Sequence, residues 1–185
     1  MPQFRIRFDT RSLCRMAILV ALYVLLNMVS IRAGNLRITF ASLPVVVSAL
    51  LFGPLEAALV ALFGELANQM LSYGFTATTV LWLIPPAVRG LAVGAAAVRL
   101  WRGGRPLESR PVAGYVVCCL AALATTVTNT LVIWLDSVLY GYYTPVYVFG
   151  DLAVRLATGL VAAVIVATVA MPLAGLLRRQ GLARA

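Results

Sequence analysis

Six apolar runs, at 13–31, 39–52, 55–72, 77–101, 112–139 and 145–177, take up most of this 185-residue chain. Runs of that length and number do not suit a water-soluble core. In hydrocarbon a backbone must satisfy its own hydrogen bonds, which leaves helices or a closed barrel. The apolar residues run continuously instead of alternating, so a barrel is excluded. The chain therefore reads as an all-α integral membrane protein, a six-transmembrane-helix bundle forming one domain over 1–185. Spans of about 20 residues each leave no length for a separate soluble domain. Charged residues make up 11% of the chain, against about a quarter in soluble domains. The first run follows a basic segment, as a secretion signal would, but five more runs follow it. It reads as a retained first helix.

Every basic residue is an arginine, and eleven of the fifteen fall in three clusters. Arg5, Arg7, Arg11 and Arg15 precede the first run. Arg99, Arg102, Arg105 and Arg110 lie between the fourth and fifth, and Arg178, Arg179 and Arg184 follow the last. Cytoplasmic loops carry the excess of positive charge. Both termini are thus expected in the cytoplasm, with Arg32 and Arg37 outside. The net charge of +9 speaks for orientation and contact with the lipid bilayer's anionic headgroups, not for a nucleic-acid partner. Gly53-Pro54 separates the second and third spans, with proline at a tolerated first helical position. Tyr73 to Thr76 separates the third and fourth, Gly103-Gly104-Arg105-Pro106 opens the long internal loop, and Gly141 to Pro145 makes the last turn. The second span is short, roughly 21 Å, so it tilts little or stops within the bilayer. Cys14, Cys118 and Cys119 read as small apolar fillers.

Missing residues exclude whole chemistries. The chain has no histidine, which membrane metalloproteases, rhomboid-like proteases and lipid phosphatases use as ligand or base. It has no Gly-rich phosphate loop, so it does not hydrolyse ATP itself. No enzyme, cofactor or metal site is expected. Transport, binding and scaffolding stay open.

Ionisable groups at bilayer depth are costly and usually face the protein interior. Four stand out: Glu65 in the third run, Arg89 in the fourth, and Asp151 with Arg155 in the sixth. Asp151 and Arg155 are four apart, a spacing that allows direct pairing. Glu65 and Arg89 differ in depth by roughly 7 Å, which long side chains can bridge. One reading is that each acid only neutralises an arginine. The other is that the arginines hold a carboxylate-bearing ligand with the guanidinium fork. Polar and aromatic residues crowd the same outer half: Asn68, Gln69, Tyr73, Thr76, Thr78, Thr79, Trp82, then Thr125 to Thr130, Asn129, Trp134 and Asp136, then Tyr140, Tyr142, Tyr143 and Tyr147. An interfacial aromatic belt, with threonines bonded to their own helices, explains several of them. It does not explain Asn68, Gln69 and Asn129, and an outward-facing pocket with flat aromatic walls suits the set better. On the inner side, Ala17 and Ala21 sit one turn apart and permit close helix approach; Ala57, Ala61 and Gly64 form a similar stripe. Phe63-Gly-Glu-Leu-Ala67 echoes Phe149-Gly-Asp-Leu-Ala153.

Six short helices, the Ala17-x-x-x-Ala21 spacing, Leu36-Arg-Ile-Thr-Phe-Ala-Ser-Leu-Pro44 after the first outer loop, and Leu51-Phe-Gly-Pro54 together resemble a known family. It is the substrate-binding S component of energy-coupling-factor (ECF) vitamin transporters. Asn129-Thr130, Trp134 and Arg155 are similar to its folate-specific branch. The chain departs from that branch over Tyr73 to Gly90. The resemblance implies a multi-pass protein of the bacterial plasma membrane that captures a vitamin outside. It then docks on an ECF transmembrane coupling subunit driven by two ATPase subunits, through Ala17 and Ala21, and tips in the membrane to deliver its ligand. It implies a vitamin-like small molecule, folate-like, as ligand. The candidate contacts are Arg155 and Arg89 for a salt bridge, Asn129 and Asn68 for hydrogen bonds, Trp134 and Trp82 for stacking, and Glu65 beside them. Two rivals remain: a proton-coupled secondary transporter using Glu65 or Asp151, and a membrane scaffold or assembly protein whose polar residues are interhelical glue.

Overall fold

The computed structural model describes residues 9–33, 36–101 and 105–181, with backbone alone at 31–33 and 36–38. Arg5, Arg7, Arg102, Gly103, Gly104 and Arg184 lie outside the described residues, as do the side chains of Arg32 and Arg37. Among the described residues the helices are α1 (Thr10–Met28), α2 (Ser42–Phe52), α3 (Pro54–Tyr73), α4 (Thr79–Trp82), α5 (Ile84–Leu100), α6 (Pro111–Leu139), α7 (Pro145–Phe149) and α8 (Leu152–Arg179). All six expected runs are helical, and two of them are broken.

Each break has a cause in the chain. The run 77–101 divides at Leu83, because Pro85 and Pro86 bring no N–H to continue the ladder of α4. The run 145–177 divides at Gly150-Asp151, where a side chain on Gly150 would strike the carbonyl of Val146. The first helix ends at Met28 instead of 31. A short antiparallel hairpin follows, β1 (Ile31–Ala33) against β2 (Leu36–Ile38), with Ile31 opposite Ile38 and Ala33 opposite Leu36. No strand was expected there.

The second helix organises the bundle. Every residue of α2 from Pro44 to Phe52 is buried, and it packs on α1, α3, α5 and α8. A helix that is apolar all round belongs in the interior. Eleven residues give a length of about 16 Å, roughly half the hydrocarbon thickness. Lipid is as apolar as leucine, so what holds such helices together is close packing and interhelical hydrogen bonds. The α3–α5 seam shows it. A Cβ on Gly90 would lie 2.9 Å from the backbone of Ala57, and one on Gly94 would overlap Pro54. The small-residue stripe of α3 is therefore internal, with Ala57 and Ala61 fully buried.

The apolar core collects toward the arginine-bearing end, around Val46, Leu50, Leu51, Val93, Leu107, Val166 and Met171. There Arg178 bonds Glu108, donates to the Leu50 carbonyl at 2.8 Å and lies 4.5 Å over the Trp101 ring. Cys118 joins this core, whereas Cys14 is exposed on α1. Among the described residues four helical stretches are long and apolar enough to cross a membrane: Thr10–Met28, Thr79–Leu100, Pro111–Leu139 and Pro145–Arg179. The other two bundle members differ: α2 is short, and α3 carries Glu56 and Glu65. The six-helix bundle stands.

Candidate ligand-binding cavity

Above the start of α2 the bundle has no central helix, and a cavity of about 1120 Å³ fills that half. Its walls come from the ends of α1, α3, α6 and α8 away from the arginine clusters, with α4, α5 and α7. Drug-sized ligands occupy cavities of roughly 300–1000 Å³. An annex of about 180 Å³ continues toward α2, bounded by Ala41, Ser42, Val45, Trp82, Pro85 and Pro86.

Six of the seven side chains singled out from the sequence line this cavity: Arg155, Asn129, Arg89, Glu65, Asn68 and Trp82. Trp134 does not. Thr125, Asn129 and Ile133 follow one another at one-turn intervals on the cavity side of α6, so Ile133 takes the position expected of the tryptophan. Trp134 is one residue on, turned by roughly 100°, and is 41% exposed.

Glu65 is held by three side-chain hydrogen bonds on the wall. Its carboxylate accepts from the Tyr23 hydroxyl at 2.7 Å, Gln69 Nε2 at 2.8 Å and Asn68 Nδ2 at 3.2 Å. The Tyr23 ring reaches α3 because residue 64 is glycine; a Cβ there would lie 2.6 Å from the ring. Asn68 and Gln69, at the third and fourth residues on, can reach back to Glu65 along the same helix face.

The ion pairs that the spacing permits are not formed. Arg89 donates from Nε to Thr125 Oγ1 at 3.2 Å, and that hydroxyl itself donates to the Ala121 carbonyl at 2.7 Å. Neither terminal nitrogen of Arg89 has a partner among the described residues. Arg155 shares only a backbone bond with Asp151, its N–H reaching that carbonyl at 2.9 Å. Its Nη2 instead donates to the Val148 carbonyl at 2.8 Å, which ties α7 to α8. Its Nη1 is buried with no acceptor. Arg178 does pair with Glu108, at the opposite end. An unmet buried donor is expensive, so the cavity wall holds demand for acceptors.

The wall also contains Tyr23, Asn27, Asp151, Thr158 and the ring of Tyr147, beyond the seven residues singled out from the sequence. Tyr23 and Asn27 were visible in principle, as polar residues four apart on one face of an otherwise apolar helix. Thr126, Thr128 and Thr130 bond carbonyls of their own helix at 3.0, 2.8 and 2.9 Å, as the belt reading expects. Asn129, between them, has no side-chain partner among the described residues and lines both cavity and annex. The echoed pentapeptides share the cavity but not a structure: Glu65 is mid-helix in α3, whereas Asp151 stands at the N-terminal boundary of α8, after a break, with no side-chain capping bond. Ala17 and Ala21 are exposed on α1, away from the buried side that carries Tyr23 and Asn27.

Residues 7–179 match the family described as ECF-type riboflavin transporter, S component. The fold is similar to the S component of a bacterial ECF transporter (17% identity, TM-score 0.59), over 92% of this chain and 94% of that one. It is similar also to FolT, solved bound with folic acid (20% identity, TM-score 0.61), over 91% of this chain and 97% of that one. No curated protein sequence matches the chain.

Proposed function

The chain belongs to the family of ECF-type riboflavin transporter S components, and from that premise we propose that it captures a folate-like vitamin, anionic at one end and aromatic at the other. The observation that carries this reading is the state of the cavity arginines. Among the described residues, Arg89 keeps both terminal nitrogens unengaged and Arg155 keeps a buried N–H without an acceptor. A ligand carboxylate supplies the acceptor that Arg155 lacks in charge-assisted form, and a second ligand oxygen meets Arg89. Rings of Tyr23, Tyr73, Trp82 and Tyr147 on the wall suit a flat heterocycle. The likeness to FolT, solved with folic acid, lends support at the level of fold.

In this reading the arginine-bearing end lies in the cytoplasm, following the charge asymmetry of the loops, and the cavity faces outward. The vitamin is handed to a coupling subunit with two ATPases. The Ala17–Ala21 face, exposed on α1, is the docking surface, since small residues let a partner helix come close. Riboflavin is a second reading, favoured by the family's description.

Mass spectrometry of whatever co-purifies, followed by calorimetric titration with folic acid and with riboflavin, tests the choice. Folic acid is expected to bind, and Arg155→Ala is expected to weaken it by more than about tenfold. Unchanged affinity in the variant sinks that placement of the carboxylate. Riboflavin binding indifferent to Arg155→Ala favours the second reading. Uptake driven by an imposed pH gradient, in vesicles holding this chain alone, points instead to a secondary transporter.

A further inference from the structure

The cavity has two poles that differ in chemistry. At the annex, Glu65 of α3 offers a carboxylate and Arg89 of α5 offers N–H groups unengaged among the described residues, with the amide of Asn129 from α6 on the same wall. A carboxylate has about four acceptor sites. Three donors already occupy Glu65, so one more N–H can be accepted without breaking a bond. At the α7–α8 pole stand Arg155, Asp151 and Thr158, none of them on the annex wall. Val146 and Tyr147 beside them are 80% and 52% exposed.

We infer that the annex takes the lactam edge of the heterocycle, its N–H to Glu65 and its C=O to Arg89, while the carboxylate tail lies toward Arg155. This rests on the folate-like reading. A carboxylate in the annex would face Glu65 in enclosed, weakly screened surroundings, where like charges repel strongly. A neutral edge with N–H beside C=O meets complementary groups on both sides. Trp82, Pro85, Pro86 and Val45 add flat and apolar surface. At the other pole Asp151 also opposes an anion, but that pole lies next to exposed residues where water screens it.

Splitting the ligand tests the assignment. 6-Hydroxymethylpterin carries the lactam edge and p-aminobenzoyl-glutamate carries the tail. On purified wild-type protein the two fragments are expected to bind together, each without displacing the other; mutual exclusion overturns the two-pole assignment. Glu65→Gln is expected to weaken the pterin fragment by about tenfold or more and the tail fragment by less than about threefold. Retained tail binding also shows that the variant folds. In Arg155→Ala the order reverses. Pterin affinity untouched by Glu65→Gln, or tail affinity falling further than pterin affinity in that variant, overturns the inference while leaving the function intact. Failure of intact folic acid to bind the wild-type protein brings down the functional reading, and this one with it.

Discussion

A single hydroxyl closes the end of α6. Tyr142, in the turn after α6, donates to the carboxylate of Asp136 and packs edge-on against Tyr147 with centroids 5.4 Å apart. The hydrogen bond to Asp136, ahead of desolvation, pushes the Tyr142 phenol above its ordinary value. Because the folded value is raised, the stabilisation is fully present below about pH 10, the ordinary phenol range. It is lost as pH climbs through the raised value. An ultraviolet titration of the native protein is expected to show one of the seven tyrosines ionising after the rest, and Asp136→Asn to restore ordinary behaviour. Simultaneous ionisation of all seven argues against the bond. Residue by residue, the site was partly legible beforehand. Amides at Asn68 and Asn129 have no business in an apolar run unless something polar meets them, and both line the cavity. Trp134 misled because helix phase, not residue type, decides which side faces inward, and a shift of one position moves a side chain by roughly 100°. Pairing failed for a related reason: the four-residue spacing of Asp151 and Arg155 presumes an unbroken helix, but Arg155 reaches the carbonyl of Val148 across the break instead.

At the level of elements, the α3–α5 contact is the tightest in the bundle, with backbone against backbone at Gly90 and Gly94. Gly90→Leu has nowhere to put its side chain, since Ala57 presents backbone that cannot step aside. Overpacking of this kind typically costs about 1–3 kcal/mol, and here the cost is expected at or above the top of that range. Thermal unfolding in detergent measures it; a variant as stable as the parent would show that the two helices separate freely. Segment ends and breaks were harder to read from sequence than segment existence. Continuous hydropathy runs straight through Leu83 and Gly150, and only Pro85-Pro86 and the glycine itself hinted at the interruptions. The hairpin was also within reach, since Ile31-Arg32 and Arg37-Ile38 alternate around a Gly-Asn pair of turn-forming type. Read only as the loop between the first two runs, it was passed over.

Across the molecule the two ends divide the labour of cohesion and binding. Side chains fill the arginine-bearing half, while the opposite half is left hollow. Arg178 is the tie that closes the filled half, joining α8 to the α2 carbonyl at Leu50, to Trp101 and to Glu108. Glu108 is 5% exposed on its side chain. Removing its partner strands a buried charge, which costs about 3–5 kcal/mol in comparable cases. Arg178→Ala is therefore expected to lower the unfolding temperature well beyond Arg179→Ala, whose neighbouring side chain takes no part in the tie. Equal shifts in the two variants would remove Arg178 from that role. The division itself could be read from composition, because polar and aromatic residues gather on one side and alanine and valine on the other. The size of the void could not, as it depends on where α2 begins.

That starting point has a consequence for what the receptor can admit. Capacity is governed less by the walls than by how far a single inner column rises between them. One additional turn at the head of α2 would lift the floor by about 5 Å and turn a container into a stopper, with every surrounding helix unchanged.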